Sequence, residues 1–197
     1  MTGADIGAGT ISEAQGQALI ALARQTISRH LGRLVPAAVD PLLAAPALQV
    51  QSGTFVTLKL HGQLRGCIGS LLATGSIVEG VRENAINAAF EDPRFPPLTV
   101  EELDAVAIEV SVLTEPQPLE YQDAADLLTR LRPGRDGLII RKGVCSATFL
   151  PQVWEQLPDP HQFLTHLCLK AGLAADAWQR EHLAVLTYQV RYFEEQR

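Results

Sequence analysis

Positive charge is in short supply. Sixteen lysines and arginines stand against 22 aspartates and glutamates, giving a net charge of −6. No basic excess exists to displace counterions from a phosphate backbone, so no nucleic-acid footprint is expected. Cysteine is scarcer still: Cys67, Cys145 and Cys168 are widely spaced, odd in number and form no CxxC pair. Reduced thiols are expected, and a zinc cluster is not. The five histidines contain neither HxxxH nor HExxH, and His161 and His166 are five positions apart, so no metal and no cofactor is indicated. Long apolar runs are missing too. No stretch approaches the roughly 18 residues of a membrane span, and MTGADIGAGT lacks the basic and apolar regions of a secretory leader. The expectation is a soluble, cytoplasmic protein that uses neither membrane nor nucleic acid.

What is present is ordinary globular composition: 197 residues, 47% hydrophobic and 19% charged. That length buries one good core or two small ones.

The least generic stretch runs from Gly53 to Leu72, GTFVTLKLHGQLRGCIGSLL. Thr54–Leu60 and Gln63–Gly69 are two β-rich runs about His61-Gly62, which predicts a hairpin with a tight turn. The second run ends in Leu64-Arg65-Gly66-Cys67-Ile68-Gly69. Alternation puts Arg65, Cys67 and Gly69 on one face and Leu64, Gly66 and Ile68 on the other. A two-residue loop sets Arg65 opposite Leu58 and Cys67 opposite Val56. A guanidinium beside a thiol favours reactive thiolate, which makes Cys67 a candidate nucleophile or redox thiol and Arg65 its activator. Gly66 and Gly69 leave the flanking backbone bare, as needed where another chain segment or a ligand comes close. The bland alternative is a small buried cysteine, with the glycines marking a bulge or strand end.

Along the rest of the chain, residues 1–11 are small and polar and are expected to be disordered. Ser12 with Gln15 forms a capping box, followed by apolar residues at helical spacing from Ile20 to Leu34. Pro36, Pro41 and Pro46 predict an irregular or extended connection over 35–50. Ser76 caps a helix to about Phe90, stopped by Asp92-Pro-Arg-Phe-Pro-Pro97. Within that stop, Asp92, Arg94 and Phe95 either tie down a rigid turn or present a fixed carboxylate and guanidinium at a cleft edge. Leu98–Ala105 reads as a capped turn or short helix. Val106–Leu113 reads as a strand with Glu109 in its middle, either an exposed edge charge or a partner for Arg65 or Arg94.

A helix over Asp123–Leu131 precedes a second hairpin, Leu138–Arg141 and Val144–Leu150 about Lys142-Gly143. Asp159 or His161 starts a helix stopped by Gly172, with Cys168 on its apolar stripe. A final strand spans Leu183–Phe193. Hairpin, helix and lone strand thus occur twice, which predicts an internal structural duplication and two units able to face each other across a cleft.

LRGCIG at 64–69, AAFEDPRFPPL at 88–98, EVSVLTEP at 109–116, GRDGLIIRKG at 134–143, FLPQVWEQ at 149–156 and FLTHLCLKAGL at 163–173 occur in the order in which the AMMECR domain family has them. Over about residues 12–195 the chain resembles that family, and within it the bacterial AmmeMemoRadiSam system A proteins. The resemblance implies an α+β domain in two parts, antiparallel or mixed sheets flanked by helices, the larger part holding both termini and LRGCIG near a groove between the parts. It also implies a Memo-like protein and a radical-SAM enzyme as partners. It marks Leu64 to Gly69, Asp92, Arg94 and Phe95 as motif positions without giving any of them a role. Relatives often carry histidine where this chain has Asp136.

Two functions compete. In the first, the groove is a docking or ligand site at which Arg65, Arg94 and Asp92, with Glu109 nearby, read a small polar or anionic group or a partner protein. In the second, Cys67 does nucleophilic or redox chemistry. His61 lies roughly 20 Å along the strand at about 3.3 Å per residue, too far to serve it directly as a base, which leaves His166 or Glu109 to approach through the fold.

Overall fold

The computed structural model describes residues 11–35, 40–71 and 75–195. The chain divides into two compact units, residues 1–113 with 191–197, and residues 114–190. The expected disorder of 1–11 falls outside the described residues except at Ile11, which is buried.

The first unit opens with α1 (Glu13–His30). Ser12 and Gln15 exchange the two hydrogen bonds of a capping box at its start. Two short 3₁₀ turns, Pro41–Ala44 and Pro46–Leu48, each begin on a proline whose fixed φ suits a first helical position. They replace the expected irregular connection, whose residues 36–39 lie outside the described ones. The hairpin follows as β1 (Thr54–Leu60) and β2 (Gln63–Ser70), with φ of 51° at His61 and 80° at Gly62. Two successive positive φ angles make the turn whose twist matches paired strands. Next come α2 (Ile77–Ile86), capped by Ser76 and Glu79, then a π-helical turn over Asn87–Glu91, and α3 (Val100–Leu103), capped by Thr99 and Glu102. β3 (Val106–Leu113) pairs antiparallel with β1.

The second unit contains β4 (Gln117–Pro118), α4 (Ala124–Arg130), the hairpin β5 (Gly137–Lys142) and β6 (Cys145–Phe149), α5 (Pro160–Lys170), α6 (Ala177–Arg180) and β7 (Ala184–Tyr188). The second turn sits at Gly143-Val144, one residue later than expected, because Lys142 already pairs with Cys145. The final strand is corrected more substantially. The run Leu183–Phe193 breaks at Gln189 into β7, in the second unit's sheet, and β8 (Val190–Glu194), in the first unit's sheet.

The sheet orders show the repeat. One is β2-β1-β3-β8, and the other, read from its far edge, is β6-β5-β7-β4. In each, a hairpin is followed by a helix, the next strand pairs with the hairpin's first strand, and a fourth strand lies outside it. The fold is α+β with a duplicated topology.

Each unit has its own core. In the first, Leu19, Ala23 and Ile27 of α1 and Val81 and Ala85 of α2 are buried with Val56, Leu58, Ile108 and Val110 of the sheet. Gly16 is glycine because the Phe193 ring occupies the place of its Cβ, which would lie 1.9 Å from the ring. In the second, Trp154 stacks on Phe163 at 3.7 Å between centroids, and the Trp154 indole donates to the carbonyl of Asp136. Asp136 is itself buried and accepts three hydrogen bonds from Arg132, so it serves the core of its unit. No helix among the described residues is long and apolar enough to cross a membrane.

Candidate functional site

Register decides what stands beside Cys67. Near the turn the pairs are Leu60 with Gln63 and Lys59 with Leu64, as a two-residue loop dictates. Then the register shifts: Leu58 pairs with Gly66, Thr57 with Cys67 and Val56 with Ile68. Arg65 is the extra residue of a β-bulge. This corrects the expectation that Arg65 faces Leu58 and Cys67 faces Val56. The bulge moves Cys67 from the buried row of Val56 and Leu58 to the half-buried row of Thr57.

There the Thr57 hydroxyl donates to Cys67 Sγ at 3.2 Å. Thr57 pairs on its other side with Glu109 of β3, so Cys67, Thr57 and Glu109 form one row across three strands. Glu109 is not an edge charge, and neither Arg65 nor Arg94 is its partner. Its strand lies between β1 and β8, and its carboxylate accepts from Lys59 Nζ at 2.8 Å. That hydrogen bond raises the Lys59 ammonium above its ordinary pKa.

Arg65 reaches a different carboxylate. Its Nε and Nη2 meet the two Glu102 oxygens at 2.9 and 3.0 Å, a bidentate pair that holds the Glu102 carboxyl below its usual range. Arg65 is only 8% exposed, and its Nη1 is buried with no hydrogen-bond partner among the described residues. Nη2 also donates to the Pro97 carbonyl at 3.4 Å, and the Phe95 ring lies 5.9 Å from the guanidinium carbon.

The DPRF segment returns to the motif strand. Asp92 Oδ2 accepts the Cys67 backbone N–H at 2.9 Å, and Arg94 Nη2 donates to the Cys67 carbonyl at 3.1 Å. Arg94 also donates to Asp92 from Nε and Nη2, at 2.9 and 2.7 Å. Those bonds hold the buried Asp92 carboxyl far below the ordinary aspartate value despite desolvation, and raise Arg94. Because β2 lies at the edge of its sheet, an ion pair satisfies the outer backbone groups of Cys67 where a further strand would have done so.

Both motif glycines follow from close approach. A Cβ on Gly66 would lie 2.1 Å from the Ala88 carbonyl oxygen in the π-helical turn, and one on Gly69 would lie 2.2 Å from the Phe55 ring. Leu64 is exposed, and Ile68 packs partly against the core.

The structure thus gathers Arg65, Gly66, Cys67, Asp92, Arg94 and Phe95, and sets Glu109 one strand beyond Thr57. The sequence reading missed Thr57, Lys59 and Glu102. Glu102 had a signal, the capping spacing Thr99-x-x-Glu102, but its second duty toward Arg65 depends on the fold. The histidines of this unit are engaged elsewhere: His30 stacks on Phe90 at 4.3 Å and His61 forms the turn. Cys168 is buried in the second core, and desolvation pushes its thiol up. No cluster of three or more histidine, cysteine or acidic side chains arranged for a metal occurs among the described residues.

A second feature adjoins the motif. A pocket of about 220 Å³ opens beyond Ile68 and Gly69, between the end of β2 and α2, and is also lined by Ser70, Gly75, Glu83 and Asn87. At its base, buried Asn84 donates to the Thr54 carbonyl at 3.0 Å and to the Thr54 hydroxyl at 2.9 Å.

Comparison with known proteins agrees with this architecture. The AMMECR1 family model matches residues 20–193. A protein of Thermofilum pendens is 40% identical over 95% of this chain and 92% of its own length. One of Methanothermobacter thermautotrophicus is 40% identical over 94% and 96%. The crystal structure of an uncharacterized protein from Pyrococcus horikoshii superposes with a TM-score of 0.76 at 38% identity, covering 94% of each chain.

Proposed function

The chain belongs to the AMMECR1 family, and on that premise we propose that it is an accessory binding component rather than a cysteine-dependent enzyme. Its partners in this reading are a Memo-like protein and a radical-SAM enzyme. The working surface is the LRGCIG strand with the side chains gathered on it.

One observation carries the proposal: Asp92 is spent on the Cys67 N–H and on Arg94, and Arg94 commits its Nε and Nη2 to Asp92 and the Cys67 carbonyl. A carboxylate used to orient a base, or a guanidinium used to stabilise developing charge, needs free lone pairs or donors aimed at a substrate atom. Here both groups fix the course of an edge strand. What they build is a rigid, half-exposed edge with defined side-chain positions, which is the property of a docking element. Arg65 is likewise neutralised by Glu102.

The cysteine reading keeps one point in its favour, the Thr57 hydroxyl on Sγ. Cys67→Ser separates the two. The test mixes the purified chain with purified Memo-like and radical-SAM proteins from the same organism and measures complex formation by size-exclusion chromatography with light scattering. Complexes retained by Cys67→Ser and weakened by Arg65→Ala support binding. Absence of any complex with the unmodified chain overturns it.

A further inference from the structure

The pocket beyond Gly69 is a polar site to which nothing described so far gives an occupant. Three features define what it accepts. The first is strand edge. The outer N–H and C=O of Cys67 turn away from β1 and are met by Asp92 and Arg94. In an antiparallel pair, backbone groups alternate in direction, so Gly69, two residues on, turns its N–H and C=O to the same outer side. Gly69 lines the pocket. The ion pair that covers the edge at Cys67 is therefore succeeded by a donor and an acceptor spaced for a peptide unit.

The second feature is charge. Among the described residues, Glu83 is the only charged side chain lining the pocket and it makes no ion pair. A lone carboxylate rejects anions and attracts an ammonium. The third is size. About 220 Å³ is below the roughly 300–1,000 Å³ of sites for drug-sized ligands, which suits a chain end, and the Cβ positions of Gly75 and Gly80 in its wall are already taken by Glu79 and Thr54. The buried Thr54–Asn84 hydrogen bonds fix the floor, since a Cβ on Gly80 would lie 2.7 Å from the Thr54 hydroxyl.

We propose that this pocket binds the free amino terminus of an extended peptide, its ammonium against Glu83 and Asn87 and its first peptide unit paired with the outward N–H and C=O of Gly69. This is strand addition limited to a single residue pair and closed by recognition of a charged end. The proposal deepens the binding reading by naming a ligand class for the motif strand, and it rests on that reading only in treating the strand as a docking element.

The experiment is a titration of the full-length chain, followed through the backbone amide signals of Gly69, Gly75 and Gly80 in a two-dimensional NMR spectrum. Four probes are compared: trialanine amide, its N-acetyl form, its analogue N-methylated at the second residue's nitrogen, and methylammonium chloride. Trialanine amide should shift the three glycines, while acetylation abolishes the effect and N-methylation weakens it. Glu83→Gln should raise the apparent Kd by about tenfold, the loss of one charge-assisted hydrogen bond. Asn87→Ala should act in the same direction.

Equal shifts from the acetylated peptide overturn the proposal. Methylammonium acting as well as the peptide also overturns it, reducing the site to a simple amine pocket. Complex formation with the protein partners, measured on the same preparations, fails or survives separately. Partners binding without the peptide overturns this proposal alone. Peptide binding without partners overturns only the assignment of the previous section.

Discussion

Asp92 accepts the backbone N–H of Cys67 at 2.9 Å across 25 positions of sequence, while its own i+2 neighbour Arg94 holds the Cys67 carbonyl. Two segments that stand apart in the chain are thereby one structural unit. A carboxylate held below its ordinary pKa contributes stability that is fully present above the unfolded value, about 3.9, and fades as pH falls through the folded value. Asp92→Asn should therefore cost about 1–3 kcal/mol at neutral pH, the range for leaving a buried donor poorly paired. It should also flatten the loss of stability below about pH 4. Urea midpoints measured between about pH 3 and 7 for both chains check the sign. A variant with an unchanged acid limb would show that Asp92 does not carry it.

Gly66 makes a second prediction, because what its Cβ would meet is backbone. The Ala88 carbonyl belongs to the π-helical turn and has no rotamer in which to retreat. Gly66→Ala should destabilise by about 3 kcal/mol, the upper range for overpacking, or prevent folding. Gly62→Ala tests the contrast. It has φ of +80° with open space around it, so only the backbone penalty of about 1–2 kcal/mol applies. Thermal unfolding of the two variants should rank them in that order.

What could be read in the sequence was local or periodic. The capping box of Ser12 and Gln15, the cap at Ser76, the positive-φ turn at His61-Gly62 and the alternation from Val106 to Val112 are each written in near neighbours along the chain. The duplication was legible because it is a recurrence of such patterns. The register beyond Arg65 was not: Gly66 could mark a bulge, but counting from the turn assumes unbroken pairing, which mispaired Arg65 and Cys67. Nor was the switch at Gln189, since alternation continues through VLTYQVRYF while the chain passes from one sheet to the other. The partners of Glu109 and Arg65 were misassigned or unassigned for the same reason. Lys59 and Glu102 come beside them only once register and helix placement are fixed.

Burial should grade the cysteines. Cys168 is fully buried, whereas Cys67 and Cys145 are half-buried. Iodoacetamide applied to the folded chain, followed by intact mass and peptide mapping, should label Cys67 and Cys145 and leave Cys168 until the protein is unfolded in denaturant. Labelling of Cys168 at native pH as fast as Cys145 would contradict the packing of α5.

Tyr188 gives the second unit a pH signature of its own. Its ring is buried over Gly137, its hydroxyl donates to the Phe149 carbonyl at 3.2 Å, and burial pushes its pKa up to about 12. For an acid held neutral, the unfolded tyrosine ionises first. The contribution is present below the unfolded value of about 10 and is lost as pH rises toward the folded one, on the order of 2 kcal/mol across that window. Absorbance at a phenolate wavelength should show a late step that Tyr188→Phe removes.

Arg65 and Glu102 provide the sharpest test of the motif's architecture. Their pair is bidentate and Arg65 is buried, so Arg65→Lys is not conservative: a point ammonium cannot span both carboxylate oxygens. Removing Glu102's charge leaves a buried guanidinium without its counter-ion, and breaking a buried pair from one side costs about 3–5 kcal/mol. Glu102 is partly exposed, which lets water restore some of that, so Glu102→Gln should fall near the lower end. The Arg65→Met, Glu102→Gln double variant removes the charge from both sides and should be less destabilised than the sum of its single variants. That non-additivity, read from urea midpoints in a double-mutant cycle, measures the coupling itself. Strict additivity would mean that Arg65 is held by its packing under Phe95, and the bulge would then owe its geometry to the ring and not to the carboxylate.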